Sequence, residues 1–356
     1  MGIHSFASSA ATLPASVAEQ IAIDVRSYGA NGRSVLELPF TGPEFTEILN
    51  KAERQFRKLL PISDDYHVLF LQGGASSHFT LIPMNLLGDQ SVADYVETGL
   101  WSHRAIAGAK PWASVNIAGR GDTAAMPHHS DWQLSPGSAY CHVTSNETAE
   151  GLQYFDWPTQ LDIPLVADMT ADLLTRPIAV DRFGLIYASA QKNLCASGLT
   201  IVIVRQDLLQ RTRRGTPPPL DYSKQVAAHS KVNTPATFAL SVAVRMLDWI
   251  EAQGGLSAMQ EINRKKSDTI YAVIDASGFY RSRVEAPHRS MLNVCFKLAT
   301  PELEALFLSE AEAEGLIDLS GHTAIGGIRA SLYNTVPQKS VSILAEFMRR
   351  FELRRG

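Results

Sequence analysis

The sequence has few cysteines, no excess of basic charge and no long apolar run. Its 356 residues include three cysteines, 32 Lys and Arg and 36 Asp and Glu, for a net charge of -4. Cys141, Cys195 and Cys295 form no CxxC pair, which argues against a disulfide framework or a structural zinc site. No metal ligand is therefore predicted.

These scarcities also exclude classes of partner. The acidic balance provides no positive field for a nucleic-acid backbone. No stretch reaches the roughly eighteen apolar residues that a membrane span requires, and the N-terminal segment lacks the basic and apolar regions of a signal peptide. We therefore predict a cytoplasmic protein that binds neither nucleic acid nor membrane.

Apolar runs of strand length alternate with amphipathic segments of helix length, which predicts an α/β architecture with a largely parallel sheet. The predicted strands of the larger, N-terminal part are 67–72, 140–145, 165–169, 184–191 and 199–204. The predicted helices are 44–60, 103–110, 237–252, 256–277, 301–314 and 338–351, with extended segments at 291–298 and 326–333. Gly254 and Gly255 end the helix 237–252, and a smaller C-terminal α/β domain is predicted after them.

Three features lie where predicted strands end. Gly73 and Gly74 follow an apolar strand, where backbone N–H groups can converge on a phosphate, although two glycines also make an ordinary turn. Asp168 ends a short apolar strand, either as a ligand-binding carboxylate or as a turn residue. Lys192 follows the next strand, and a desolvated lysine amine can form a Schiff base with an aldehyde cofactor.

The ordered set of Gly-Gly, Asp and Gln-Lys resembles the phosphoserine aminotransferase family, within the class V, fold-type I enzymes that use pyridoxal 5'-phosphate (PLP). The resemblance covers nearly the whole chain and includes the runs LFLQGGAS, TSNETAEG and LVADMTADLLTRP. Further matching runs are 93–102, 183–193, 233–238 and 326–334.

The resemblance implies a domain organisation. We expect an N-terminal segment, 1–15, that contributes to the active site and the small domain. A large PLP-binding domain is expected over 16–252, with a mostly parallel seven-stranded sheet flanked by helices, and a small α/β domain over 253–356.

The resemblance also implies cofactor roles. Lys192 is expected to hold PLP as an internal Schiff base and to move the α-proton, while Asp168 pairs with the pyridine nitrogen. Three of the further expected cofactor residues also have purely structural interpretations: Trp101 as a core aromatic, Thr148 as a helix cap and Asn233 as a turn residue. The remaining expected cofactor contacts are Gly74, Ala75, Ser76 and Gln191 at the phosphate, Trp101 stacked on the ring, Thr148 near the ring hydroxyl, and Asn233 and Thr234 of a second subunit, which implies a homodimer with shared sites.

The sequence departs from the family at the substrate pocket, where it loses positive charge. A Ser-His-Arg triplet of the family reads Pro39, Phe40 and Thr41, and a His-Arg pair reads His322 and Thr323. A Gly-Pro pair reads Ser9 and Ala10, and a Gly-Pro-Ala-Gly run reads 195–198 as CASG. Arg329 is retained and is expected to bind the substrate α-carboxylate bidentately. The predicted substrate-binding residues are Ser9, Phe40, Thr41, Trp101, His322, Thr323 and Arg329.

The leading hypothesis is an aminotransferase that moves an amino group between an L-amino acid and a 2-oxo acid, with a side-chain specificity shifted away from phosphoserine. One alternative is an ordinary phosphoserine aminotransferase of serine biosynthesis, in which His78, His103, Arg104 or His322 compensates for the lost charge. Others are a PLP enzyme of elimination, replacement or decarboxylation, and a non-catalytic binding protein. Lys192 and Asp168 count against the last of these.

Overall fold

The computed structural model describes residues 2–356, apart from the side chain of residue 31. Its helices are α1 (Ala15–Arg26), α2 (Pro43–Leu59), α3 (Ala75–Leu86), α4 (Leu100–Ala109), α5 (Tyr222–Ala227), α6 (Thr237–Ala252), α7 (Gly255–Asp275), α8 (Pro301–Ala313) and α9 (Gln338–Arg355). Its strands are β1 (His4–Ser5), β2 (Tyr66–Gln72), β3 (Val92–Glu97), β4 (Ser114–Arg120), β5 (Cys141–Thr144), β6 (Asn146–Glu147), β7 (Leu152–Gln153), β8 (Leu165–Asp168), β9 (Leu185–Ser189), β10 (Leu199–Arg205), β11 (Asn293–Phe296), β12 (Leu316–Ile317) and β13 (Ile328–Ser331).

A seven-stranded sheet organises the larger part of the chain. Its strand order is β2-β10-β9-β8-β5-β3-β4. Only β10 runs against its neighbours, since it pairs antiparallel with both β2 and β9. All other strands of the sheet therefore point the same way, and their carboxyl ends meet along one edge, where open α/β sheets bind ligands.

Side chains that alternate along the strands contribute to two apolar cores, one on each face of the sheet. On β2, Val68 and Phe70 belong to the apolar cluster that includes buried residues of α2 and α6. Leu69 and Leu71 belong to the opposite cluster, which includes residues of α3 and α4. Because successive strand residues face opposite sides, a run without polar interruption is what a strand buried on both faces requires.

A third cluster packs the C-terminal part of the chain. It joins α7, α8 and α9 to the small antiparallel pair β11 and β13. Phe6 is fully buried in the same cluster, and β1 pairs with β12, so the N-terminal segment packs with the C-terminal elements. The exact domain boundaries given above stay a prediction.

Within residues 2–356, no helix combines the length and the apolar character that crossing a bilayer demands. The three cysteines are free thiols, with Cys141 buried and the other two partly buried.

Candidate active site

One cavity of about 350 Å³ lies at the carboxyl edge of the sheet. It is reached by residues at or just beyond the ends of β2, β5, β8 and β9. This size suits a small-molecule or cofactor site. Of the residues predicted from the sequence, the cavity brings together Ser9, Gly74, Ala75, Ser76, Trp101, Thr148, Asp168, Gln191, Lys192, His322 and Arg329.

Lys192 lies in the turn after β9 and is almost entirely buried, with 7% of its surface exposed. Its Nζ lies 5.9 Å from the centre of the Trp101 ring and 5.8 Å from that of Tyr333. Among the described residues, no hydrogen bond or ion pair engages this amine. A buried amine without a polar partner is costly, and a covalent or ionic partner supplied by a ligand would remove that cost.

Asp168 ends β8 and lines the same cavity as Lys192. Burial raises the pKa of the Asp168 carboxyl, and hydrogen bonding from Thr170, the charge of Lys192 and Tyr187 act in the opposite direction. The backbone N–H of Thr170 donates to Asp168 Oδ1 at 2.9 Å. The carboxyl group is thus held in one orientation by its own turn, and a cationic partner in the cavity would favour its ionised form.

A buried aromatic network behind Asp168 was not identified from the sequence. Tyr187 on β9 interacts with Asp168 and lies 2.9 Å from His142 Nε2 through its hydroxyl oxygen. Burial lowers the pKa of His142 to about 3, so this imidazole is neutral. Tyr95 stacks on His142 with ring centroids 4.9 Å apart. The sequence does show polar aromatic residues that interrupt the otherwise aliphatic strands, which could have indicated a buried polar network. Only the register of the sheet brings these residues together.

The amino-terminal end of α3 forms a second polar wall of the cavity. Gly74 caps the helix, and Ala75 and Ser76 are its first residues. A Cβ on Gly74 would lie 3.6 Å from Ser189 Oγ, so the two turns approach closely. Ser189 in turn donates a hydrogen bond to Gln191 Oε1. Free N–H groups at a helix start, together with hydroxyl and amide groups, are suited to binding a phosphate.

Trp101 is fixed by an acidic residue that was not singled out from the sequence. Its backbone N–H donates to Glu147 Oε2 at 2.9 Å, and its indole Nε1 donates to Thr148 Oγ1 at 2.8 Å. Glu147, on β6, is fully buried against the start of α4, and burial raises the pKa of its carboxyl while the N–H groups of Ser102 and Trp101 oppose the shift. A Cβ on Gly99 would come within 2.8 Å of Glu147 Cδ, so the residue that precedes this helix has to be glycine.

Arg329 on β13 carries the cationic group of the opposite wall. It is 8% exposed, and its Nη1 donates to the backbone oxygen of Thr148 at 3.1 Å. Glu150 lies close by, and burial together with the charge of Glu147 raises the Glu150 pKa to about 7, while Arg329 opposes the shift. The remaining donors of the guanidinium are available for a carboxylate in the cavity.

His322 and Arg104 both lie next to the Trp101 ring, and we call these two residues the rim of the site. The His322 ring meets the Trp101 ring edge-on with centroids 6.3 Å apart. Arg104 Cζ lies 4.9 Å from the centre of the same indole ring. Partial burial and the charges of Arg329 and Arg104 lower the pKa of His322. His322 is among the residues that line the cavity, whereas Arg104 lies over Trp101 outside that set.

Two other basic residues considered as compensating groups have different positions. His78 is completely buried, its Nδ1 lies 2.7 Å from Tyr222 Oη, and burial lowers its pKa to about 3. It is a neutral residue of the core. His103 is exposed and lies 3.1 Å from Glu97 Oε1. Neither is among the residues that line the cavity.

Five predicted site residues do not line the cavity of their own chain. Phe40 is partly buried against the core that contains α2, while Thr41 and Thr323 are exposed. Asn233 and Thr234 are also exposed, and both contact Gln72 at the end of β2. Their predicted roles therefore stay predictions, and those of Asn233 and Thr234 require a second subunit.

The residues of this cavity fit the predicted PLP. An amine, a carboxylate and a helix start converge on one space, and each matches a different part of the cofactor. Thr144 Oγ1, which belongs to a lining residue, is buried without a hydrogen-bond partner within the described chain. A polar ligand in the cavity would satisfy this hydroxyl.

Comparison with known proteins gives one consistent family. The sequence model of the class-V aminotransferases matches residues 3–344. The chain is 46% identical to the phosphoserine aminotransferase of Ectopseudomonas mendocina, over 98% of this chain and 97% of that protein.

Solved structures agree with the sequence relatives. The phosphoserine aminotransferase of Bacillus circulans subsp. alkalophilus superposes with a TM-score of 0.96 at 40% identity, covering 99% of this chain and 98% of that one. The PLP-bound phosphoserine aminotransferase of Trichomonas vaginalis superposes with a TM-score of 0.93 at 33% identity, covering 98% and 99%. The fold predicted from the sequence, a PLP fold-type I α/β architecture, is thereby confirmed.

Proposed function

This chain belongs to the class-V aminotransferases and is a PLP-dependent enzyme, and from that premise we propose that it transfers the amino group between phosphoserine and a 2-oxo acid. The single observation behind the proposal is the arrangement of Asp168, Lys192 and Arg329 around one cavity. The full-length relatives named phosphoserine aminotransferase support the choice of substrate.

The chain's own residues divide the work of amino transfer. PLP, when bound, supplies an electron-accepting ring next to the reacting carbon. Lys192 Nζ holds the cofactor and takes or returns the α-proton of the amino acid. Asp168 keeps a proton on the ring nitrogen, Arg329 orients the α-carboxylate, and the start of α3 with Ser76 and Gln191 holds the phosphate.

The rim carries the proposed specificity for a distal anion. Arg104 Cζ and the His322 ring centre lie 4.9 Å and 6.3 Å from the centre of the Trp101 ring. Trp101 is itself held by hydrogen bonds to Thr148 and Glu147, so the ring that these two basic groups contact has a fixed position. We propose that Arg104 contributes positive charge in place of the arginines that Thr41 and Thr323 replace, while His322, whose pKa is lowered, contributes a hydrogen-bonding imidazole.

Steady-state kinetics test the proposal directly. With phosphoserine and 2-oxoglutarate, we expect a kcat/KM at least about 100-fold above that for alanine or phenylalanine as donor, since a hydrogen-bonded charge contributes about 1.5–3 kcal/mol per contact. Release of a keto acid without any acceptor would instead support elimination.

A second candidate function is favoured by one specific observation. Phe40 and Thr41 stand where the family has His and Arg, and Thr323 stands where it has Arg. This loss of charge favours an amino donor with a neutral or bulkier side chain. If such a donor exceeds phosphoserine in kcat/KM, this second function replaces the first.

We also propose a cytoplasmic homodimer in which Asn233 and Thr234 complete the phosphate site of the partner subunit. Both side chains are exposed next to Gln72, which places them at the edge of the sheet where the phosphate is expected. Mixed dimers of Lys192→Ala and Asn233→Ala chains test this idea. Recovery of activity above that of either parent requires a site built from two chains, and no recovery would contradict it.

A further inference from the structure

Two histidines and an aspartate form a cluster away from the active-site cavity. His128, His129 and Asp156 each offer one ligand atom, and these atoms all lie within 4.8 Å of one another. His129 Nε2 lies 3.2 Å from Asp156 Oδ2, and His128 Nε2 lies 4.0 Å from the same oxygen. We propose that this cluster binds a divalent transition-metal ion of the Zn²⁺ type.

The distances suit a small metal ion with little rearrangement. Ligands of a tetrahedral zinc ion lie about 2.0–2.1 Å from the metal and hence about 3.3 Å from one another. The side chains of His128 and Asp156 are 60% and 71% exposed, so they have freedom to close the remaining gap. Imidazole nitrogens with one carboxylate favour Zn²⁺, Ni²⁺ or Cu²⁺, whereas Mg²⁺ and Ca²⁺ prefer all-oxygen sites.

Outer contacts already orient the ligand atoms. Asp156 Oδ1 accepts the backbone N–H of Trp157 at 2.9 Å, which leaves Oδ2 facing both imidazoles. His128 Nδ1 accepts the backbone N–H of Ser130 at 3.3 Å and lies 2.8 Å from Ser130 Oγ, so its Nε2 is the nitrogen directed to Asp156, and a metal would displace the proton of that nitrogen. Second contacts of this kind fix the orientation of histidine and carboxylate ligands in metal sites.

The two segments that carry the ligands are also packed together independently of a metal. Tyr154 donates its hydroxyl to the backbone oxygen of Pro127 at 3.0 Å. Trp132 is buried and meets both the Tyr154 ring and the His129 ring edge-on, at 6.3 Å and 6.4 Å. The site is therefore preorganised, and a bound ion would cross-link the segment after β4 to the segment after β7.

The cluster is independent of the amino-transfer reaction. The cluster lies outside the set of residues that line the active-site cavity. It also departs from the expectation drawn from the sequence, which considered only cysteine ligands. The adjacent histidines were visible there, but Asp156 is 27 residues from His129 and only the fold brings it near.

Zinc titration of untagged holoenzyme, read with a chromophoric chelator as competitor, tests the site. We expect the wild type to bind one more Zn²⁺ per chain than His129→Ala or Asp156→Asn, or to bind it at least about tenfold more tightly. His128→Ala should show a smaller loss, because its nitrogen lies farther from Asp156 Oδ2. His67→Ala, which removes a histidine elsewhere on the chain, should bind Zn²⁺ like the wild type.

Thermal unfolding gives the second readout. Zn²⁺ should raise the Tm of the wild type and of His67→Ala, and should leave the Tm of Asp156→Asn unchanged, while Mg²⁺ shifts none of them. Equal zinc affinity in the wild type and in all three cluster variants would overturn the proposal. So would the absence of any zinc-induced Tm shift in the wild type.

Discussion

The floor and the rim of the active-site cavity are built in different ways. The floor is formed by strand ends and the turns after them, with Asp168 at the end of β8 and Lys192 after β9. The rim is formed by a helix surface and by the turn before β13, which carry Arg104 and His322.

We expect the two parts of the site to tolerate substitution to different extents. Groups at the carboxyl ends of parallel strands are held by the register of the whole sheet, so a change there disturbs the fold as well as the chemistry. Rim groups are exposed and can be exchanged at little cost in stability. A change at the rim is thus expected to leave the floor intact, and the following experiments separate the two parts of the site.

The largest effect is expected from Lys192→Ala. This variant should lose the visible absorbance of covalently held cofactor and at least ~10³-fold in kcat, because the group that holds PLP and moves the α-proton is gone. Absorbance spectra and single-turnover assays measure both changes.

Lys266→Met is the matched control, because it removes the other buried lysine of the described chain. Lys266 Nζ donates to the backbone oxygens of Leu332 and Tyr333 at 2.8 Å and 2.7 Å. This variant should lose about 1–3 kcal/mol of unfolding free energy from the unpaired carbonyls but keep the cofactor absorbance. If Lys192→Ala instead keeps covalent cofactor, the assignment of Lys192 is wrong.

The next effect is expected from Arg329→Lys, since lysine lacks the planar pair of donors that a carboxylate accepts. The value of kcat/KM should fall by about 10- to 100-fold. Every donor has an α-carboxylate, so phosphoserine and alanine should suffer to the same extent. A loss confined to phosphoserine would place Arg329 at the distal group instead.

A smaller, donor-dependent effect is expected from Arg104→Met, which keeps most of the side-chain stem over Trp101 and removes the charge. We expect kcat/KM for phosphoserine to fall by about 3- to 10-fold, as befits an exposed ion pair. The value for alanine should not change. Lys110→Met, at the other end of the same helix, should leave both donors unaffected. Equal values for the variant and the wild type with phosphoserine would remove Arg104 from the substrate site.

The smallest effect is expected on stability, from Glu150→Gln. The pKa of Glu150 is about 7 in the folded protein, above its ordinary value of 4.5, because of burial and the nearby Glu147. The folded state therefore binds the proton more tightly than the unfolded state, so stability falls as the pH rises from about 4.5 to 7.

Glutamine cannot ionise, so the variant should avoid this loss. Its Tm should exceed that of the wild type by about 2 °C at pH 8, and the gap should close near pH 4.5. Glu312→Gln, on an exposed helix surface, serves as the control and should follow the wild-type curve. A constant offset at all pH values would mean that Glu150 is not the titrating group.

Element types were predictable wherever the local pattern was strong. The helix predicted over 237–252 coincides with α6, and the strand predicted over 199–204 is one residue short of β10. β3 and β4 were missed, because polar residues such as Asp94 and Asn116 interrupt their apolar pattern. Asn116 Nδ2 donates to Asp94 Oδ1 at 2.8 Å, so the two polar groups satisfy each other between adjacent strands.

The sequence by itself predicted that a glycine turn and Lys192 would each follow a strand and that Asp168 would end one. It also determined which family the chain resembles. Tertiary structure alone decided that Trp101 stands on Glu147 and Thr148, that Arg104 lies over it, and that His78 is buried and neutral. The local sequence pattern reflects the secondary structure of a residue and the face of the strand or helix on which it lies. The burial and the charge state of a side chain depend on neighbours that are distant in the chain, and only the tertiary fold brings those neighbours into contact.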